Sequence, residues 1–483
     1  MTENTDDIKL RESRQKCLDI LGKFYHILKK VDPYETAIQL ANTIRSNFKN
    51  RSSDHVSQTF VYLFVIEASF YYNRPFYSTV PVLKYFNELI QLSIKLAESY
   101  HLYCIENKEI DLLVKGIEHR QLEPQLSCNV DDLLRSFYFF GDSHKFTEFN
   151  SYLQKNYSFS LKDWIKFIYL AVNASLGSDS LFLNIVDTQF LYPLSVVSCD
   201  ENEIRKNFEC LLENPGPHLI HQVPSIFIDR PLLKLPDNRY LIVHGDFLIR
   251  STWRTPIKLG HESGLESFSK DLGKIFEDYI GLLLMEVFEE DKIFTEKKLI
   301  KLLPDNCNVC DYVVDLDDCY CFIECKAIKY SARLVTEPAI KNDNSTNKIC
   351  KAITQIKETE DGLKNEFPDF KPNKYCFGLC VTLEEIHFAN SLWYRNIFYT
   401  SLEGRPNPSL PIYAIGISTF EAIIKILKSK ECSLKELLTS KSDDNYRKEG
   451  DWFQFLQSHY NEIMMKQNVA TLDLSAKKFF NKK

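Results

Sequence analysis

Long apolar runs are scarce in this chain. The most apolar stretch, Phe60 to Tyr72, is broken by Glu67 and is shorter than the roughly 20 residues a helix needs to cross a bilayer. No apolar segment follows the opening Met-Thr-Glu-Asn, so no membrane partner is expected and the chain is expected to be cytoplasmic. There is no GxxxxGK(S/T) motif: Gly273-Lys274 is followed by Ile275 and lacks the upstream glycine, which excludes a P-loop nucleotide site. The 14 cysteines follow no regular framework, which argues against a disulfide scaffold in 483 residues and for reduced thiols. Positive charge is also short. A net charge of −7 argues against a protein coated with nucleic acid, because nonspecific binding needs patches that neutralise phosphates.

What is present is a globular composition, 44% hydrophobic, with length for several structural units. Helical periodicity runs through Lys9 to Lys30, Tyr34 to Phe48, His55 to Tyr72, Val82 to His101 and Leu161 to Leu176. Residues 1–180 therefore read as an all-α domain, with Tyr71-Tyr72 and Phe137-Tyr138-Phe139-Phe140 as core aromatics. Its helical hairpins suit regulation or assembly, so a partner protein or a second copy of the chain is expected there. Residues 181–260 read as a β-rich connector with a hairpin over 230–235 and 240–243. Residues 261–430 hold the chemistry, and 431–483 read as a helical tail ending in lysines. The expected class is a multidomain α+β protein.

The chemistry lies in two short apolar runs, 309–316 and 319–328, joined by Asp317-Asp318. Their β-branched and aromatic residues predict strands, and the two aspartates predict a turn. With a two-residue loop, Asp311 opposes Glu324 at a Cβ separation of about 5 Å. Period-two alternation then puts Glu324 and Lys326 on one face and turns Cys325 to the other. Two close carboxylates repel unless a positive charge lies between them. Oxygen ligands without a convergent His or thiolate set suit Mg²⁺ or Mn²⁺. Such an ion activates water for phosphodiester hydrolysis, and a neighbouring lysine orients or deprotonates that water. Glu-x-Lys alone is uninformative, since Glu106/Lys108 and Glu296/Lys298 share it. Only Glu324/Lys326 lies in an apolar strand with an acid across a hairpin.

Upstream, the apolar spacing from Ser263 to Glu289 predicts an amphipathic helix, with Ser263 and Glu266 as a capping box. Within it Glu277 is bracketed by Gly273 and Gly281, each disfavoured by about 1 kcal/mol against alanine. Close approach to a strand or a phosphate backbone would explain both glycines, with Glu277 aimed at the metal. A strand over Lys292 to Leu302, the hairpin, a helix near Lys348 to Leu363 and a strand over Lys374 to Val381 complete an αβββαβ order.

This order, with Asp311 and Glu324-Cys325-Lys326, resembles the PD-(D/E)XK nuclease superfamily, whose domain is restriction-endonuclease-like. The resemblance covers residues 261–430. It implies that Asp311, Glu324 and the Cys325 carbonyl ligate the metal, that Lys326 acts on the water, and that Glu277 supports the metal or its water. Cys310 stands where the motif's proline would be. Gln355 resembles the glutamine of the recombination-type branch and is an auxiliary site candidate, although Thr359 replaces that branch's tyrosine. Segments 230–243, 377–385 and 411–427 look like those of nuclease-bearing bacterial antiphage defence proteins.

Cys307-Asn308-Val309-Cys310 has metal-ligand spacing, with Cys319, Cys321 and Cys325 following. Alternation lays the last three along one face in a line too long for one ion, and no second CxxC completes a set. Buried thiols are the expectation, with zinc or an iron–sulfur cluster as the alternative. His218 and His221 read as loop residues. From Lys326 to Lys374, ten Lys/Arg face seven Asp/Glu, against the overall sign, and could line a channel for DNA. Lys341 to Lys348 reads as a polar loop beside the site. The expected function is a Mg²⁺-dependent nuclease acting on DNA; the alternative is a nuclease-fold subunit that binds without cutting.

Overall fold

The protein is described by a computed structural model covering residues 5–50, 59–73, 84–106, 130–177, 181–183, 190–213, 225–304, 307–317, 319–328, 344–366, 375–386, 389–391, 395–396, 398, 410–442 and 452–481. The architecture is mixed α+β with a helical N-terminal region. No described helix is long and apolar enough to cross a membrane. The chain divides into two compact units, residues 1–136 with 147–263, and residues 137–146 with 264–483.

In the first unit, helices Thr5–Leu28, Pro33–Asn50, Thr59–Tyr72, Phe86–Glu106 and Leu161–Gly177 occupy the segments with helical periodicity. Local chemistry sets several of their starts. Asp32 accepts the Glu35 N–H (2.8 Å) with Pro33 at the first helical position. Ser160 and Asp163 form a reciprocal capping box ahead of Leu161–Gly177. Thr59–Tyr72 is buried on almost every side, which accounts for its being apolar all round. Its buried Glu67 is satisfied by the Ser225 hydroxyl (2.8 Å) and the Ile226 N–H (2.7 Å).

A small sheet completes this unit: β1 (Phe182–Leu183), β2 (Ser198–Cys199), β3 (Leu232–Lys234) and β4 (Tyr240–Ile242), in the order β1-β4-β3-β2. Strands β3 and β4 are the expected antiparallel hairpin, and Asn238 takes a positive φ (63°) in its turn. The stretch 181–260 is nevertheless more helical than β-rich among the described residues, holding Leu191–Val197, Glu201–Glu213 and Gly245–Glu262. Val196 and Val197, whose β-branching favours strand, lie in the first of these helices, where packing overrides propensity. His218 and His221 lie outside the described residues.

The second unit is built on β5 (Ile293–Thr295), β6 (Tyr312–Asp315), β7 (Cys319–Lys326), β8 (Tyr375–Thr382) and β9 (Ile412–Gly416), hydrogen-bonded in that order. Pairing is antiparallel from β5 to β7 and parallel from β7 to β9. Helix Asn344–Glu366 supplies the crossover from β7 to β8. Helix Glu266–Met285 meets one face, where the Tyr312 hydroxyl donates to Glu277 O (3.0 Å). Helix Asn344–Glu366 meets the other, where a Cβ on Gly378 would stand 3.1 Å from Ile356. Both faces being covered, β7 is buried over its first six residues. Edge strand β9 is closed by the Asn390 amide, which donates to Ala414 O (2.8 Å) and accepts from Ala414 N (2.9 Å).

Three expectations need correction here. Lys292 to Leu302 is strand only over Ile293–Thr295; Glu296–Leu302 is helical, as its Glu, Lys and Leu content favours. The Ser263/Glu266 capping box does not form. Gly264 sits in the left-handed region (φ 70°), leaving Ser263 to donate back to Gly260 O and Leu265 to begin the helix. Residues 344–348 of the expected polar loop are the start of helix Asn344–Glu366, while 341–343 lie outside the described residues.

Candidate active site

The β6–β7 hairpin has the register that a two-residue loop requires. Leu316 N donates to Cys319 O (2.8 Å), Asp317 adopts φ 68°, and the paired residues run from Asp315↔Tyr320 to Tyr312↔Ile323. Asp318 lies outside the described residues. One step beyond the last pair, Asp311 faces Glu324, and reciprocal bonds replace the ladder. The Asp311 N–H donates to Glu324 Oε2 (3.2 Å), and the Cys325 N–H donates to Asp311 Oδ2 (2.7 Å).

Lys326, two residues along the same face, donates from Nζ to Glu324 Oε1 and to Gln355 Oε1, the second bond at 2.9 Å. Gln355 in turn donates from Nε2 to Val309 O (3.2 Å). Asp311, Glu324, Lys326 and Gln355 therefore meet. Glu277 stays outside this hydrogen-bonded set; its carboxylate accepts from Lys274 Nζ (3.0 Å) on its own helix. Its charge still reaches Asp311.

The electrostatics follow from burial. Glu324 is 2% exposed, and burial pushes its carboxyl up to about 8; the charge of Asp311 adds to the rise while Lys326 opposes it. Burial also pushes Asp311 up to about 6; the Cys325 N–H works against this, Glu277 adds to it and Lys326 opposes it. Burial pulls the Lys326 ammonium down, but the Glu324 carboxylate outweighs it and holds the group above the ordinary lysine value.

A buried and a half-buried carboxylate that both resist ionisation form a site where added positive charge is stabilising. Their hard oxygen donors are of the type that suits Mg²⁺ or Mn²⁺. Among the described residues, no three His, Cys, Asp or Glu side chains converge as a ready-made cage. The cysteines lean the other way from a soft-metal site, because burial raises the thiols of Cys310, Cys321 and Cys325 and so disfavours thiolate.

The two glycines flanking Glu277 differ. A Cβ on Gly281 would collide with the Tyr312 hydroxyl oxygen, so that glycine permits the close approach of β6. A Cβ on Gly273 would meet nothing within 4 Å, so close approach does not explain that one. Thr359 had no role assigned from sequence beyond replacing a tyrosine. It accepts the Cys310 N–H (2.8 Å), directly before Asp311. Its spacing of four from Gln355 was the available signal, since it puts the two on one helix row. No protein-family model, curated protein or solved structure matches this chain.

Proposed function

We propose that the second unit is a restriction-endonuclease-like domain and that the protein is a Mg²⁺-dependent nuclease hydrolysing phosphodiester bonds of DNA. The observation that carries this reading is the meeting of Asp311 and Glu324 across the hairpin mouth with Lys326 bonded to Glu324 on the same face. Asp311 and Glu324 would hold the cation, and by the resemblance the Cys325 carbonyl would join them. When bound, Mg²⁺ polarises a phosphoryl oxygen and lowers the pKa of a coordinated water. Lys326 keeps its proton in the arrangement described, so its contribution is to orient the attacking water and to offset charge developing on the phosphate. Gln355 fixes the ammonium by its 2.9 Å bond. Glu277 acts through its field on Asp311. The likeness of segments 230–243, 377–385 and 411–427 to defence proteins extends the reading to bacterial antiphage defence.

A second reading, a nuclease fold that binds nucleic acid or a partner protein without cutting, draws on the absence of a third converging acid among the described residues. One experiment separates the two. Purified protein is incubated with plasmid, linear duplex and single strands, in Mg²⁺ or in EDTA, beside Glu324→Ala and Lys326→Ala. The nuclease reading expects cleavage only with Mg²⁺ and a loss of at least 100-fold in both variants, roughly the scale of general acid–base and electrostatic contributions. Cleavage that survives in both variants removes this site, and binding without cleavage under every condition supports the second reading.

A further inference from the structure

Strand pairing ends at Tyr312; the Asp311 carbonyl still accepts the Glu296 N–H (2.8 Å), but the peptide that leads into Asp311 must be fixed by something else. Helix Asn344–Glu366 does this with side chains from two consecutive turns. Gln355 Nε2 donates to Val309 O at 3.2 Å, and the Cys310 N–H donates to Thr359 Oγ1 at 2.8 Å. That carbonyl and that N–H belong to one peptide group, so both edges of a single peptide plane are held. The plane cannot rotate without breaking one of the bonds. Thr359 is 0% exposed, and its hydroxyl proton is donated to Gln355 O (2.7 Å), which leaves the oxygen to accept from Cys310. Through its Oε1, Gln355 also holds Lys326. One helical turn thus ties the approach to the first acid to the lysine on the other strand.

We infer that Thr359 is a positioning residue: with Gln355 it clamps the Val309–Cys310 peptide and so sets Asp311 against Glu324 and Lys326. The inference rests on the nuclease reading of this site and adds to it a residue that touches neither cation nor substrate. Thr359→Val keeps the branched shape and removes the acceptor, whereas Thr359→Ser keeps the acceptor. Two readouts are needed in the full chain: terbium(III) affinity, as a probe of the acidic pair, and kcat and KM on plasmid with Mg²⁺.

The expected result for Thr359→Val is terbium binding weakened at least fivefold and kcat lowered at least tenfold with KM within twofold of the parent. Thr359→Ser should stay within twofold on each readout. Should Thr359→Val fail to fold, Gln355→Met, which removes the other half of the clamp at a partly exposed position, is expected to weaken terbium binding by the same factor. Terbium affinity unchanged in the folded clamp variant, or lost equally in Thr359→Ser, overturns the inference. Failure of the nuclease reading looks different: no cleavage by the parent, or full cleavage by Glu324→Ala. The terbium comparison still decides the clamp in that case.

Discussion

Glu324 is a glutamate near 4.5 when unfolded and near 8 when buried opposite Asp311, so between those values the folded protein holds a proton that the unfolded chain has lost. In metal-free protein this proton's contribution to stability is fully present below pH 4.5 and is lost as pH rises through 8, at no more than about 1.4 kcal/mol per pH unit. Asp311, pushed up to about 6, acts in the same direction over a lower window. Urea denaturation in EDTA at pH 5, 6.5 and 8 should show the parent losing stability with pH more steeply than Glu324→Gln. Adding Mg²⁺ at pH 8 should stabilise the parent and leave the variant unchanged, because a ligand stabilises only the state that binds it. Parallel curves for the two proteins would refute this account of the site's charge. The acid–acid–lysine set was legible because all three residues lie on one hairpin, where a period of two and a short turn dictate who faces whom. Thr359 was not, because 49 residues separate it from its partner Cys310, and its spacing of four from Gln355 marks a shared helix row without saying what the hydroxyl touches.

Between elements, helix Glu266–Met285 tests its own packing through its two glycines. Gly273 faces open space, so Gly273→Ala should gain about 1 kcal/mol from helix propensity alone. Gly281→Ala would drive a Cβ into the Tyr312 hydroxyl, dislodging Tyr312 from Glu277 O and moving the helix off β6. An overpacking loss of about 1–3 kcal/mol is expected instead. Chemical denaturation of the two variants side by side reads the difference; equal effects of either sign would show that the helix does not approach β6 as described. The elements themselves were legible to unequal degrees. Strands β6 and β7 and helix Glu266–Met285 stand out by strong periodicity over apolar residues. Glu296–Leu302 was misread as strand because its seven residues are too few to show a helical period, and only its Glu, Lys and Leu content favoured helix. The Ser263 capping box failed for a different reason, since Gly264 spends its left-handed conformation ending the preceding helix.

For the whole molecule, local periodicity marked five helices of the N-terminal region, missed Val130–Phe140 and Thr147–Tyr157, and could not say which core a helix joins. Phe137 to Phe146 continues a helical run of the N-terminal region yet belongs to the second unit, where Phe137 packs on Phe479 (5.0 Å between centroids) and Tyr138 on Tyr279 (4.7 Å). Partners more than a hundred residues away decide that, and composition is silent on them. The two units also differ in how protons act on them. In the first, His244 is 1% exposed and its ring stacks on Phe247 at 4.1 Å. Burial, with the charge of Arg250 adding, pulls it from 6.5 to about 3. An unfolded chain takes up a proton below pH 6.5 that the folded unit refuses, so this contribution is present above 6.5 and is lost as pH falls towards 3. That trend is opposite to the one Glu324 imposes on the second unit. Hydrogen exchange at pH 6.5, 5.5 and 4.5, corrected for intrinsic rates, should show helix Gly245–Glu262 losing protection on acidification while β6 and β7 of metal-free protein gain it. His244→Leu, which cannot take up the proton, should flatten the first trend and leave the second in place. Equal acid sensitivity of Gly245–Glu262 in parent and variant would mean that some other group, not this imidazole, governs the first unit's response to acid.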